Sequence, residues 1–185
     1  MKKIVFVSHC ILNTASKVIM YTPDEIHAEE ELRKKFMHLS IENDIQLIQL
    51  PCPEFTLYGA NRWGHVSNQF DNVFFRKHCR KILEPVIEQL KEYLAHEERF
   101  EVLGFVGIDG SPSCGVDYTC TGDWYGSFEG RQNLQETLNT AKLSEGPGVL
   151  ISVLQELLKE EKLDDKVKIT SLFAPEPDKC LNLIK

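Results

Sequence analysis

Three of the six cysteines in this 185-residue sequence stand where thiol chemistry is readily assembled. Cys10 follows the β-rich run Lys3 to Ser8, Cys52 follows Ile45 to Leu50, and Cys114 follows the apolar run Val102 to Ile108. Each run reads as a strand, and each cysteine falls in the turn that ends it. Parallel sheets bind ligands just outside the carboxyl ends of their strands, so three thiols distant in sequence are expected at one place. Converging thiolates repel one another unless a cation holds them, which predicts a metal centre. Zinc held by three cysteines is one option, although zinc sites usually draw their ligands in close pairs and no C-x-x-C occurs in this chain. Ferredoxin-type carriers use four cysteines, mostly in close runs. A three-cysteine site fits an iron–sulfur cubane with one iron left open for substrate.

The third turn, Asp109-Gly110-Ser111-Pro112-Ser113-Cys114-Gly115, is the densest in chemistry. Gly110 and Gly115 permit positive φ and close backbone approach. Pro112 stiffens the turn and removes a donor. Ser111, Ser113 and Cys114 are left as a small polar constellation.

Ser8-His9-Cys10-Ile11-Leu12, Pro51-Cys52-Pro53-Glu54 and Ser111-Pro112-Ser113-Cys114-Gly115 resemble, in order and spacing, the three signature motifs of the 2-thiouracil desulfurase (desulfidase) family. The likeness spans roughly the first two-thirds of the chain, and the third motif matches best. The resemblance implies a [4Fe-4S] cluster held by Cys10, Cys52 and Cys114, with the fourth iron binding the substrate's sulfur. Two departures fall on the substrate side. Asn13-Thr14-Ala15-Ser16-Lys17 stands where the family commonly has Arg-Tyr-Asp-Gly, and Phe55 to Trp63 replaces paired glycines and a Pro-Arg. The expectation is a divergent relative whose substrate differs.

Glu54, two residues beyond Cys52, is placed to serve as general acid/base at such a centre. Ser111 and Ser113 are candidate donors to a cluster sulfide or to substrate, or satisfy turn backbone alone. Tyr58, Asn61, Arg62 and Trp63 offer the stacking faces and polar groups that a heteroaromatic ring requires, or form a surface loop with aromatic anchors. Asn13 and Asp109 are weaker candidates of the same kind. Cys79 and Cys180 fall on helical patterns and read as packing residues. Cys120, six residues beyond Cys114, is the candidate fourth ligand of a closed site. The six histidines show no metal-ligand spacing.

The elements that must position these groups alternate. Strands are expected over Lys3–Ser8, Ile45–Leu50, Val102–Ile108 and Val167–Phe173. Helices are expected from Pro23-Asp24 to about Met37, from Asn68 to His96 with a kink or break at Pro85, and after Gly146-Pro147-Gly148, with a short one over Pro175–Leu183. Val116 to Gly130 shows no period and reads as loop, as does the segment after Glu54. The alternation predicts a single-domain α/β fold, a mainly parallel sheet with Rossmann-like helix crossovers.

Hydrophobic content of 42% and charged content of 26% suit a globular domain of this length. A net charge of −7 argues against general nucleic-acid binding, which requires clustered Lys and Arg. The apolar run Ile4 to Val7 is too short for a secretion signal, and no stretch approaches a membrane span. A cytoplasmic location is expected, with the cysteines as thiols or ligands.

Together these features predict a desulfidase that removes sulfur from a thiocarbonyl, a thiolated nucleobase or nucleoside, and releases hydrogen sulfide without net redox change. Two rivals stand beside it: a non-catalytic closed cluster or zinc site using Cys120, and a three-cysteine cluster enzyme that donates sulfide.

Overall fold

Along the chain the elements are β1 (Lys2–Val7), α1 (His9–Leu12), a 3-10 turn (Thr14–Ser16), α2 (Pro23–Glu42), β2 (Ile45–Gln49), α3 (Pro53–Tyr58), α4 (Ser67–Phe70) and α5 (Val73–Leu94). They continue with β3 (Phe100–Ile108), β4 (Tyr118–Thr121), α6 (Leu134–Leu138), β5 (Lys142–Glu145), α7 (Val149–Glu160), β6 (Lys168–Leu172) and α8 (Asp178–Leu181). This is a computed structural model, and it describes residues 1–185.

Four strands form one parallel sheet in the order β2-β1-β3-β6. Side chains along β1 alternate between its faces, as the strand period requires. Ile4 and Phe6 pack with Phe105 of β3 under α5 and α7, and the Phe6 and Phe105 rings stack at 4.8 Å. Val5 and Val7 join Val106, Ile108 and Leu172 on the other face, against Leu32 and Phe36 of α2 and Cys180 and Leu181 of α8. The result is an α/β sandwich with helices on both faces, as the alternation of elements predicted. No helix is long and apolar enough to cross a membrane.

Two features of the sheet position the turns. Val7 pairs with Gln49 on one side and with Val106 on the other, so β1, β2 and β3 end at one edge. The strand order also reverses direction between β1 and β3, which makes that edge the switch point where doubly wound sheets hold their ligands.

Several segments differ from the sequence expectations, among them the helix expected from Asn68 to His96, which is parted at Asp71–Asn72 into α4 and α5 because Asn72 caps a new helix. The residues after Cys52 form helix α3 rather than loop: Pro53 is at its first position, where the missing N–H costs nothing, and Glu54 lies in its first turn. Helix α5 runs through Pro85 unbroken. Pro85 is solvent-exposed, so the carbonyl it leaves unbonded meets water, while Phe75, Cys79, Leu83, Val86, Ile87 and Leu90 anchor the buried face. Helix α2 runs past Met37 to Glu42. Within the aperiodic stretch lies β4, paired antiparallel with β5 from Tyr118↔Glu145 to Thr121↔Lys142.

Candidate thiol and active site

The three thiols reach the common edge by different local devices. Cys10 lies in α1, immediately beyond Ser8, whose N–H donates to Val106 O (2.9 Å) and so ties the turn to β3. Cys52 is the N-cap of α3, and its Sγ accepts from the Phe55 N–H at 3.4 Å. Cys114 is set by the loop after β3, which is gripped from three directions.

From inside that loop, the Ser111 hydroxyl accepts from the N–H of Cys114 (3.0 Å) and of Ser113 (3.4 Å). From below, the fully buried Asp109 carboxylate accepts through Oδ1 from the N–H groups of Val116 (2.8 Å), Asp117 (3.0 Å) and Tyr118 (3.3 Å). Its Oδ2 accepts from Ser171 Oγ (2.7 Å) and faces Lys179 Nζ at 3.5 Å. From the side, the first amides of α7 hold the loop carbonyls: Val149 N donates to Pro112 O (3.1 Å) and Leu150 N to Ser113 O (2.9 Å). The two glycines play different parts. Gly110 takes φ 85°, whereas Gly115 is needed for space, because a Cβ there would strike the Tyr118 carbonyl.

Glu54 and Ser113 join the thiols. Glu54, 9% exposed, accepts through Oε1 from Ser113 Oγ at 2.6 Å. Ser113 Oγ lies 3.6 Å from Cys114 Sγ, so one hydroxyl touches both the carboxylate and the third thiol. Oε2 of Glu54 pairs with Arg62 Nε at 3.2 Å, and the guanidinium is nearly inaccessible. Arg62 also donates to Ser16 O (2.6 Å) and Gly59 O (3.2 Å). It thereby staples the loop after α3 to the turn that follows Cys10.

Electrostatics mark these thiols as a group. The Cys10 thiol is pushed up to about 11, first by burial and then by the proximity of Cys52, with Lys17 and Ser16 opposing. Burial also pushes Cys52 up, against the pull of the Phe55 amide. Cys114 is pushed up by burial, with Cys10 adding and the Ser113 and Ser8 hydroxyls opposing. Thiolates at these positions require a compensating cation.

No three His, Cys, Asp or Glu side chains are arranged around a single ion. A tetrahedral zinc with sulfur at about 2.3 Å would draw its thiols to roughly 3.8 Å of one another. Thiols carried on three separate turns suit a cluster, in which each binds its own iron. A second observation bears on the fit: Ser8 Oγ and Ser16 Oγ are buried beside these thiols with no hydrogen-bond partner. A sulfur-rich, acceptor-rich group fits a wall of three thiols and two unanswered hydroxyls.

The other sequence candidates are placed as follows. Ser111 lies in the same turn but its hydroxyl serves the turn's own amides. Arg62, expected to face a ring, directs its donors at Glu54 and two carbonyls. Tyr58 stacks on His65 (5.4 Å) and Phe70 (5.8 Å), extending an aromatic tier above α5. Asn61 is exposed in the loop, and Trp63 meets Phe128 edge-on at 5.9 Å. Asn13 is exposed and caps the 3-10 turn through the Ala15 N–H. Cys79 and Cys180 are fully buried, as packing residues would be. Cys120 lies in β4 between Thr119, which donates to Ser111 O, and Thr121; the strand period turns it to the face opposite those two. A polar depression of about 300 Å³ lined by Asn68, Asp71, Arg76 and Ser152 includes none of the thiol-site residues.

Spacing alone passed over Ser8, Ser16 and His65. Ser8 stands within the first cysteine motif. Nothing in the sequence marks Ser16. His65 was legible only as one polar residue in an aromatic loop, yet its buried Nδ1 has no partner and its ring is within electrostatic reach of Glu54 and Arg62.

Fold and site together define a doubly wound α/β protein with three strand-end thiols and a buried carboxylate at its switch point. Residues 1–142 match the model of the family described as "Putative 2-thiouracil desulfurase". The chain belongs to that family. It is also 33% identical over 115 residues to an uncharacterized protein of Methanocaldococcus jannaschii, covering 62% of this chain and 69% of that relative. No solved structure matches.

Proposed function

We propose that this protein is a [4Fe-4S]-dependent desulfidase that hydrolyses the thiocarbonyl of a small thio-substrate, a thiolated nucleobase or nucleoside, with release of hydrogen sulfide. The observation that carries the proposal is the position of Ser113, bonded to Glu54 and in contact with Cys114. It sets a carboxylate beside the thiols rather than at large in solvent.

Cys10, Cys52 and Cys114 would hold the cluster, which when bound supplies an open iron able to polarise C=S as a Lewis acid. The chain's own groups account for the proton movements. Glu54 takes a proton from water as the water oxygen bonds to the thiocarbonyl carbon. Ser113 and Arg62 fix one carboxylate oxygen each, so the lone pair that accepts the proton keeps one direction. Glu54 returns that proton to sulfur as the C–S bond breaks, and the proton left on the added oxygen follows to the departing hydrosulfide as the carbonyl forms. The sum is thiocarbonyl plus water giving carbonyl plus hydrogen sulfide, with no electron donor or acceptor consumed.

Glu54→Gln tests this. The variant keeps the size of the side chain and the Ser113 bond but cannot accept a proton. Single-turnover sulfide release from 2- and 4-thiouracil, at matched cluster content, is expected to fall about 10²–10⁴-fold. Undiminished release removes Glu54 from the mechanism, and no release by the loaded native protein removes the substrate class.

A further inference from the structure

Three buried side-chain atoms in this protein lack any hydrogen-bond partner: Ser8 Oγ, Ser16 Oγ and His65 Nδ1. Buried polar groups are nearly always paired, and each exception calls for a physical reason. Of the other buried hydroxyls, Ser40 donates to Phe36 O, Ser113 to Glu54, Ser171 to Asp109, Thr119 to Ser111 O and Thr137 to Asn133 O, while Ser67 lines an open polar depression. The two unpaired hydroxyls both stand at the thiol site, and they arrive there on different segments.

Neither can turn to water. Ser8 is 1% exposed and Ser16 4%. Their backbones are also pinned, Ser8 by its N–H to Val106 O and Ser16 by its carbonyl to Arg62 Nη2. The Ser8 hydroxyl lies on the side of Cys114, and the Ser16 hydroxyl on the side of Cys10. Each faces its thiol closely enough to favour the thiolate, yet neither makes a hydrogen bond of full geometry, so two directed donors are aimed at the sulfur side of the site with no other acceptor.

We propose that Ser8 and Ser16 donate hydrogen bonds to sulfur atoms of the cluster, thiolate or sulfide, and raise its reduction potential. The inference rests on the cluster assignment made above. Hydrogen bonds to cluster sulfurs draw off negative charge and favour the reduced form, which is one of the levers a protein has over such a centre. In a hydrolytic enzyme the consequence is electronic: less charge on sulfur leaves the open iron a stronger Lewis acid.

The test compares native protein with Ser8→Ala, Ser16→Ala and the double variant, all prepared anaerobically. Iron and sulfide content, a reductive titration followed by electron paramagnetic resonance, and hyperfine couplings in deuterated buffer are read from each. Expected are native iron content, a lower potential in each variant, and loss of one exchangeable-deuteron coupling per serine removed. In the double variant the reduced-to-oxidised equilibrium should shift about tenfold, about 59 mV for one electron. A native cluster whose potential and deuteron couplings survive both substitutions overturns the proposal and leaves the cluster assignment standing. Native protein that takes up no iron and sulfide overturns both. Should an alanine variant fail to load, Ser8→Thr and Ser16→Thr decide: loading at native potential supports the donor role, and failure of both overturns it.

Discussion

Arg62→Leu should cost this protein a large part of its stability, and Glu54→Gln should return much of it. Arg62 and Glu54 are both almost wholly shielded from solvent, with Arg62 Nε 3.2 Å from Glu54 Oε2. Removing one partner of a buried ion pair strands the other charge, at a cost of about 3–5 kcal/mol. A domain of this kind has about 5–15 kcal/mol in total. In the Glu54→Gln background Arg62→Leu strands no carboxylate and removes a guanidinium already left unpaired, so it costs at most its bonds to Ser16 O and Gly59 O. At about 0.5–1.5 kcal/mol each, those two bonds come to about 1–3 kcal/mol. The expected coupling is therefore about 2 kcal/mol. The assay is urea unfolding of the reduced, metal-free protein, monitored by circular dichroism, across the four corners of the cycle. With a slope of about 2 kcal/mol/M, the midpoint should fall by about 2 M for Arg62→Leu alone and by about 1 M in the Glu54→Gln background. Effects that add to within about 0.5 kcal/mol would refute the pairing as the organising contact of this loop.

Further outcomes follow from the same geometry. Cys10→Ala, Cys52→Ala and Cys114→Ala should each lose iron and brown absorbance after anaerobic reconstitution, while Cys79→Ala, Cys120→Ala and Cys180→Ala keep both. Full iron in the first three would move the site elsewhere, and loss in Cys120→Ala would restore a four-cysteine centre. Gly115→Ala drives a Cβ into the Tyr118 carbonyl, so iron binding should fall along with the melting temperature; an unchanged melting curve would contradict the crowding. The metal-free protein should lose stability as pH rises from about 9 towards 12, because burial pushes Cys180 up to about 11 and Cys79 up to about 12. Between the unfolded and folded values the native state binds more protons than the unfolded one, so stability is full below the unfolded value and declines above it. A urea midpoint that rises over that interval would show the sign to be wrong.

Much of this arrangement is legible in the chain, and what is not has identifiable causes. The apolar runs of β1 and β3 announce themselves because parallel strands are covered on both faces. Once those strands are placed, the cysteines that end them converge by topology alone. Helix α3 escapes notice because its first position is a proline and its cap is a thiol, neither a familiar opening next to an aromatic-rich segment. The β4–β5 ribbon is invisible to periodicity because its partners are separated by residues 122–141, with no tight turn between them. The sequence shows that Arg62 can donate several hydrogen bonds, but only the fold shows that Glu54, Ser16 and Gly59 receive them. Pro85 misleads in the opposite direction, since burial of the far side of α5 outweighs one missing hydrogen bond on the wet side.

The grip of α7 on the third cysteine turn has a consequence for the order in which this protein is made. Residues 1–142, the part shared with the family model, include all three strand-end cysteines. The amides of Val149 and Leu150, the Ser171 hydroxyl and the Lys179 ammonium, which fix the Cys114 turn and its Asp109 anchor, all lie beyond that segment. A chain emerging from the ribosome thus presents its thiols well before it can hold the third of them in place. If those thiols hold a cluster, its insertion is an event of the finished polypeptide, and a protein cut short after β5 would carry all three strand-end cysteines without the groups that fix the third.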